Sequence, residues 1–263
     1  MNVLLITDLE GVPGVLSIDY MDRTREEYTL AKRCLTQCIN TVTGACIAAG
    51  ADKVYYFDGH GGVKLDNIDH EMISPTPIRV DNDGWQELVR SGGVDCVMEI
   101  GSHARAGTVN GFLDHTINSK KIFSHKINGR EFSELALHAA FCGAYGVPVV
   151  ACIGDEAACL QAREYIPEIF TAAVKKAECR NLCTDYPDAE ERMCGTVKKA
   201  IAGLATVPPM RISLPAVVEI TYYRTDMCEE KLFSSNDGEL LRADARTLIK
   251  KADSLNGFHD LNI

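Results

Sequence analysis

The chain lacks most of the short motifs that assign chemistry at a glance. It has no CxxC pair, no GxGxxG run and no GKS or GKT phosphate loop. Redox dithiols, zinc knuckles and nucleotide cradles of those kinds are therefore excluded. No apolar run approaches the roughly 18 residues of a membrane span, so no membrane association is expected. The start, MNVLLITDLEG, has no basic residue and reaches Asp8 too soon for a secretory leader. Basic residues are scattered, with 27 Lys and Arg against 37 Asp and Glu and a formal charge of -10. Nucleic acid needs a positive footprint, so no nucleic-acid partner is expected. Cysteine, by contrast, is abundant. Eleven cysteines sit mainly in apolar stretches such as VDCVM, AAFCG and VVACIG, where a thiol behaves as a small buried hydrophobe. That usage fits a reducing compartment and a cytoplasmic location.

What is present is an alternation of apolar strand-like segments with helical ones. NVLLIT at 2–7, KVYYFD at 53–58, VDCVMEI at 94–100 and VPVVACI at 147–153 read as strands. Residues 24–49 place Tyr28, Ala31, Leu35, Cys38, Val42, Ala45 and Ala49 at helical spacing, and Gly50 is positioned to cap them. Further helices are expected over 83–91, 131–145, 155–165 and 187–206, the last stopped by Pro208-Pro209. Cys34 and Cys38, and again Cys179 and Cys183, have the spacing of one helix face. A short strand is expected at 76–80. Another at 120–127 ends in an Asn128-Gly129 hairpin signal. Residues 210–222 read as a proline-marked strand and 238–257 as a charged, mostly helical tail. The pattern predicts an α/β fold, a three-layer, mostly parallel sheet with helices on both faces. A metal-binding domain is expected over 1–181, and a smaller α+β portion over 182–263 completes or flanks its sheet.

Polar residues recur just past the strand ends, where open α/β sheets place their chemistry. Asp8 and Glu10 in TDLEG either converge on a cation or form an acidic helix cap. His60 in DGHGG is either a ligand or a solvated loop residue, and Asp58 either orients its imidazole or ends the strand. His103 and Arg105 lie in GSHARAG; Arg105 either meets a substrate carboxylate or holds the loop. His115 suits general acid–base work near neutral pH, against a merely structural role. Glu134 is the most interior-looking acid, in a segment that also carries Glu131 and His138. A buried carboxylate needs a partner or a metal. One of Lys175 and Lys176 could meet a substrate carboxylate or an oxyanion, while the other reads as surface. His125, His138 and His259 have no supporting constellation. Carboxylates and imidazoles at three strand ends are the ligand types of a hydrolytic divalent metal.

The same segments resemble one family. TDLEGVPGV at 7–15, DGH at 58–60, GSHARAG at 101–107, DHT around His115 and SELALHA at 133–139 are similar to the D-aminopeptidases of peptidase family M55. The resemblance continues through PVVACIGDEAA and IPEIFTAAVKKA. It implies a two-zinc aminopeptidase acting on short peptides that begin with a D-amino acid. The implied ligands are Asp8, Glu10, His60, His103 and Glu134, with Asp8 bridging, and His115 is the implied catalytic residue. Arg105 and Lys175 are the expected substrate contacts. Carboxylate-rich sites also take Mn2+ or Co2+. A ring-like homo-oligomer is implied, a decamer in the founding type. Where the family has Ser between the Asp and the ligand His, this chain has Gly59, and it carries one inserted residue in AGTVNG. Two other readings compete: a metal-dependent amidase on another small amide, and a non-catalytic small-molecule binding protein.

Overall fold

A computed structural model describes residues 1–61, 65–235 and 240–263. In chain order the elements are β1 (Asn2–Thr7), α1 (Glu26–Ala48), β2 (Lys53–Asp58), β3 (Ile78–Arg79), α2 (Asn82–Arg90), β4 (Cys96–Ser102), β5 (Ile122–Ile127), β6 (Arg130–Glu131), α3 (Glu134–Ala144), β7 (Val149–Asp155), α4 (Glu156–Tyr165), β8 (Phe170–Cys179), β9 (Leu182–Asp185), α5 (Ala189–Ala202), β10 (Ala216–Tyr222), α6 (Thr225–Ser234), β11 (Leu241–Arg242) and β12 (Thr247–Ala252).

Seven strands form the main sheet in the order β3-β2-β1-β4-β7-β8-β9. All pairs are parallel except β8 with β9. Every residue of β4 and β7 is buried, as parallel strands covered on both faces must be. Helices α1 and α5 pack on each other, and α3 packs on α4, so the sheet is the middle of three layers. After β1 the chain builds outward through β2 and β3, then returns to place β4 on the other side of β1. That reversal opens a crevice at the carboxyl ends of β1 and β4, where open α/β sheets bind ligands.

A second, antiparallel sheet has the order β11-β12-β10-β5-β6. The Asn128-Gly129 turn joins β5 to β6 with positive φ at both residues (52° and 79°), as a two-residue hairpin requires. Ile122, Val218, Ile220, Tyr222, Cys228 and Leu248 make its own small core. Residues beyond 182 thus serve both layers: β9 and α5 belong to the large sheet, β10 to β12 to the small one.

Two local expectations are corrected. The tail over 238–257 is not helical: its described residues, 240–257, contain β11 and β12, while 238 and 239 lie outside the described residues. Charged composition suggested a helix, but Thr247–Ala252 pairs along its whole length with β10, and that partner lies remote in sequence. Cys179 and Cys183 do not share a helix face either. They lie on the two arms of the β8–β9 hairpin.

Candidate metal and active site

The crevice gathers side chains from four chain segments. Asp8 and Glu10 follow β1, His60 follows β2, His103 follows β4, and Glu134 opens α3. The turn after β1 is held by backbone bonds. Asp8 N donates to Ile100 O at 2.7 Å and Gly11 N to Gly101 O at 2.8 Å. Gly101 has φ +77°, and a Cβ there would lie 2.0 Å from Asp8 O. Only glycine lets the two backbones approach so closely. Gly11 makes room for the same strand: a Cβ there would lie 2.2 Å from Ser102 O and 2.5 Å from Gly101 O. Helix α3 begins at Glu134 rather than 131 because Ser133 caps it, accepting from Ala136 N at 3.2 Å. That settles which acid faces inward. Glu131 sits in β6 and accepts from Ser124 Oγ at 2.8 Å.

The five side chains converge. His60 Nδ1 lies 3.0 Å from both Asp8 Oδ1 and Glu10 Oε2. His103 Nε2 lies 3.4 Å from Asp8 Oδ2 and 3.5 Å from Glu134 Oε1. Ligand-type atoms within 4.8 Å of one another form the sets Asp8–Glu10–His60, Asp8–His103–Glu134 and Glu10–His103–His115. Asp8 belongs to the first two, one oxygen toward each. His103 Nδ1 donates to Ala104 O at 3.0 Å, which leaves Nε2 bare toward the carboxylates. That buried atom has no hydrogen-bond partner among the described residues. A bare imidazole nitrogen facing two carboxylates fits a cation between them.

Electrostatics agree. Burial pushes the Glu10 carboxyl up, but His60 and His103 more than offset it and hold it well below the usual range. Burial likewise opposes Glu134, yet His103 and His115 bring it down to about 2. Burial disfavours a charged His60, but Glu10 and Asp8 raise it well above its ordinary value. His103 is raised in the same way, by Asp8 and Glu134 against burial. The cluster of three acids thus draws positive charge, from protons when no cation is bound.

His115 joins the site from a tightly constrained loop. Its ring stacks on His103 at 4.1 Å and 7°. Its Nδ1 donates to Leu113 O at 2.8 Å, so Nε2 faces Glu134 Oε1 at 3.6 Å. Leu113 and Ile117 on either side have φ of 48° and 64°. Such values are costly for a β-branched residue and persist where surrounding contacts impose them. Here Ile117 N donates to Glu134 Oε1 at 2.8 Å.

Other expected residues stand elsewhere. Arg105 does not line the cavity that holds the cluster; its Nη1 pairs with Glu164 at 3.3 Å. Lys175 is fully buried, and Nζ donates to Glu10 O at 3.1 Å and to Val15 O. It braces the turn that carries Asp8 and Glu10, so it is not a substrate contact. Lys176 is exposed. Asp58 does not touch His60 directly. It accepts from Asn67 N at 2.8 Å and Nδ2 at 3.0 Å, and Asn67 Nδ2 also donates to His60 O at 2.9 Å. His125 is structural, bonded to Leu261 O at 2.8 Å. His138, by contrast, lines the cavity beside Glu99, a residue that sequence reasoning passed over. A buried acid inside the apolar strand VDCVMEI was the available signal.

Fold and site together define an α/β protein with a carboxylate–imidazole cluster suited to divalent metal at its topological switch point. The chain belongs to the D-aminopeptidase family, peptidase M55, whose pattern it matches over residues 1–259. A D-aminopeptidase of Bacillus subtilis (strain 168) is 29% identical over 213 residues, 77% of this chain and 73% of that protein. The fold is shared with a structure described as the Zn-dependent D-aminopeptidase DppA from Bacillus subtilis, a self-compartmentalizing protease. That match has a TM-score of 0.90 at 22% identity and covers 99% of this chain and 94% of the other. Among the described residues no helix is long and apolar enough to cross a membrane.

Proposed function

We propose that this chain is a metal-dependent aminopeptidase that removes the first residue of short peptides and favours D-amino acids. The single observation that carries this reading is Asp8, whose two oxygens face two separate ligand groups. Family membership and the zinc-dependent relative support it. In this reading Asp8, Glu10 and His60 hold one Zn2+, and Asp8, His103 and Glu134 hold a second; Mn2+ or Co2+ would suit the same donors. Bound metal supplies Lewis acidity and a water acidic enough to act as nucleophile near neutral pH. The protein does the rest. The buried acids limit the net charge of the site, and Ala104 O fixes the His103 ring. His115, its Nδ1–H held by Leu113 O, presents a bare Nε2 that takes up the proton given up by the nucleophilic water; as imidazolium it then stabilises the oxyanion or passes that proton to the leaving nitrogen. The eleven cysteines, all free thiols and most of them buried, support a cytoplasmic location.

The test pairs metal analysis with a peptide panel. About two zinc ions per chain are expected, with D-Ala-Ala cleaved faster than L-Ala-Ala and no cleavage of N-acetylated peptides. His115→Ala should keep its zinc and lose about 10²–10⁴ in kcat. Cleavage of blocked amides at equal rates would instead favour an amidase, and bound ligand without hydrolysis a binding protein.

A further inference from the structure

Arg105 and Lys175, expected at a substrate carboxylate, are engaged elsewhere, by Glu164 and by the carbonyls of Glu10 and Val15. Two other cations, Arg23 and Lys120, line the cavity of about 600 Å³ that holds the cluster. Both residues are exposed, and neither side chain makes an ion pair or a hydrogen bond among the described residues. Basic residues close to them in sequence are paired. Arg25 Nη1 meets Asp19 Oδ1 at 3.3 Å, and Lys121 Nζ meets Glu230 Oε2 at 3.0 Å. In a chain with 37 acidic residues against 27 basic ones, two single cations at one cavity reverse the prevailing charge. The acids of the cavity do not claim them. Asp8 and Glu10 face His60, Asp8 and Glu134 face His103, and Glu99 Oε1 is matched by His138 Nδ1 at 3.0 Å.

Each cation is tied to one part of the cluster. Arg23 Nη2 lies 3.8 Å from the point where a Cβ on Gly61 would stand, and Gly61 directly follows His60. Lys120 sits in the turn beyond His115. Its N donates to Asn118 Oδ1 at 3.0 Å, and Ile117 N of the same loop donates to Glu134 Oε1 at 2.8 Å. A peptide with free ends carries its own two charges. With its amine end at the cluster and its first carbonyl beside His115, the carboxylate of a dipeptide lies within about 7 Å of that amine end, since an extended chain advances roughly 3.3–3.6 Å per residue. A guanidinium offers a carboxylate two parallel donors and an ammonium offers a point charge.

We propose that Arg23 and Lys120 bind the C-terminal carboxylate of the substrate, so that the site selects dipeptides with a free carboxyl end. The inference rests on the aminopeptidase reading and adds the substrate class. The test uses the zinc-loaded full chain with D-Ala-Ala and its C-terminal amide, D-Ala-Ala-NH2. The expected result is a kcat/KM for the free acid about tenfold or more above that for the amide, as loss of a charge-assisted hydrogen bond would give. The difference should lie in KM, with kcat nearly equal. Arg23→Gln and Lys120→Gln should each raise KM for the free acid by about fivefold or more and leave KM for the amide unchanged, with circular dichroism and zinc content intact. If a variant loses its fold or its zinc, the acid-to-amide ratio of the unaltered chain decides. A smaller ratio, or variants that change both peptides alike or neither, would overturn the inference and leave the aminopeptidase reading intact. No cleavage of either peptide would overturn both.

Discussion

His60 and His103 each face two carboxylates, and that arrangement has a consequence for pH. Both imidazoles titrate above their ordinary value. A raised folded value means that their contribution to metal-free stability is full below about pH 6.5 and is lost as pH rises through the folded values. A metal needs them neutral, so loading must displace their protons. Zinc titration of the metal-free chain at pH 6 should release more than one proton per chain, read calorimetrically in two buffers of different ionisation enthalpy. Zero release would show that the two rings are not ligands. Lys175 gives a second prediction at this scale. Burial lowers its pKa, and its Nζ ties Glu10 O and Val15 O. Lys175→Ala leaves those carbonyls without their donor and should cost on the order of 3 kcal/mol in urea unfolding. It should also weaken zinc binding, because the braced turn carries two of the proposed ligands, Asp8 and Glu10.

The turn after β1 is only as good as its seat on β4. Gly101 stands at φ +77° with Asp8 O where a Cβ would be. Gly101→Ala combines left-handed strain with a backbone clash, and a loss of about 2 kcal/mol or more is expected. Calorimetry should show the lower Tm, and metal analysis should show depleted zinc, since Asp8 moves with the turn. Elements differ in how plainly the sequence announces them. β1, β2, α1 and α2 carry their own periodicity and end in recognisable breakers or caps, such as Gly50 after α1 and Asp81 before α2. β12 does not: Lys250 and Lys251 dilute its apolar signal, and it exists because β10 pairs with it. The strand FTAAVKKAE, β8, is likewise defined by β7 on one side and β9 on the other.

At the scale of the whole molecule, the reversal of strand order beside β1 makes a single crevice, and the second sheet leaves apolar groups outside. Phe233 on α6 is 80% exposed, and Phe123 on β5 packs edge-on against Tyr223 at 5.7 Å while both remain exposed. Exposed aromatics of this kind suit contact between copies. We expect these surfaces to join copies of the chain. Native mass spectrometry should read more than one chain per particle, and Phe123→Glu should shift the population to smaller species without changing circular dichroism. A purely monomeric chain at micromolar concentration would refute this.

The sequence by itself determined the alternation of strands and helices and the acids and imidazoles at three strand ends, because each is written in local spacing, and its short motifs carried the resemblance to the family. Periodicity left Glu131 and Glu134 open and only the resemblance chose between them; tertiary structure supplied the reason, with Ser133 capping α3 and Glu131 held in β6. It also turned Lys175 inward as a brace, sent Arg105 to Glu164, and brought Glu99 and His138 together beneath the cluster. Those outcomes depend on which surfaces meet across the fold. Local periodicity marks a side chain as buried, but only the packing of remote segments chooses its partner.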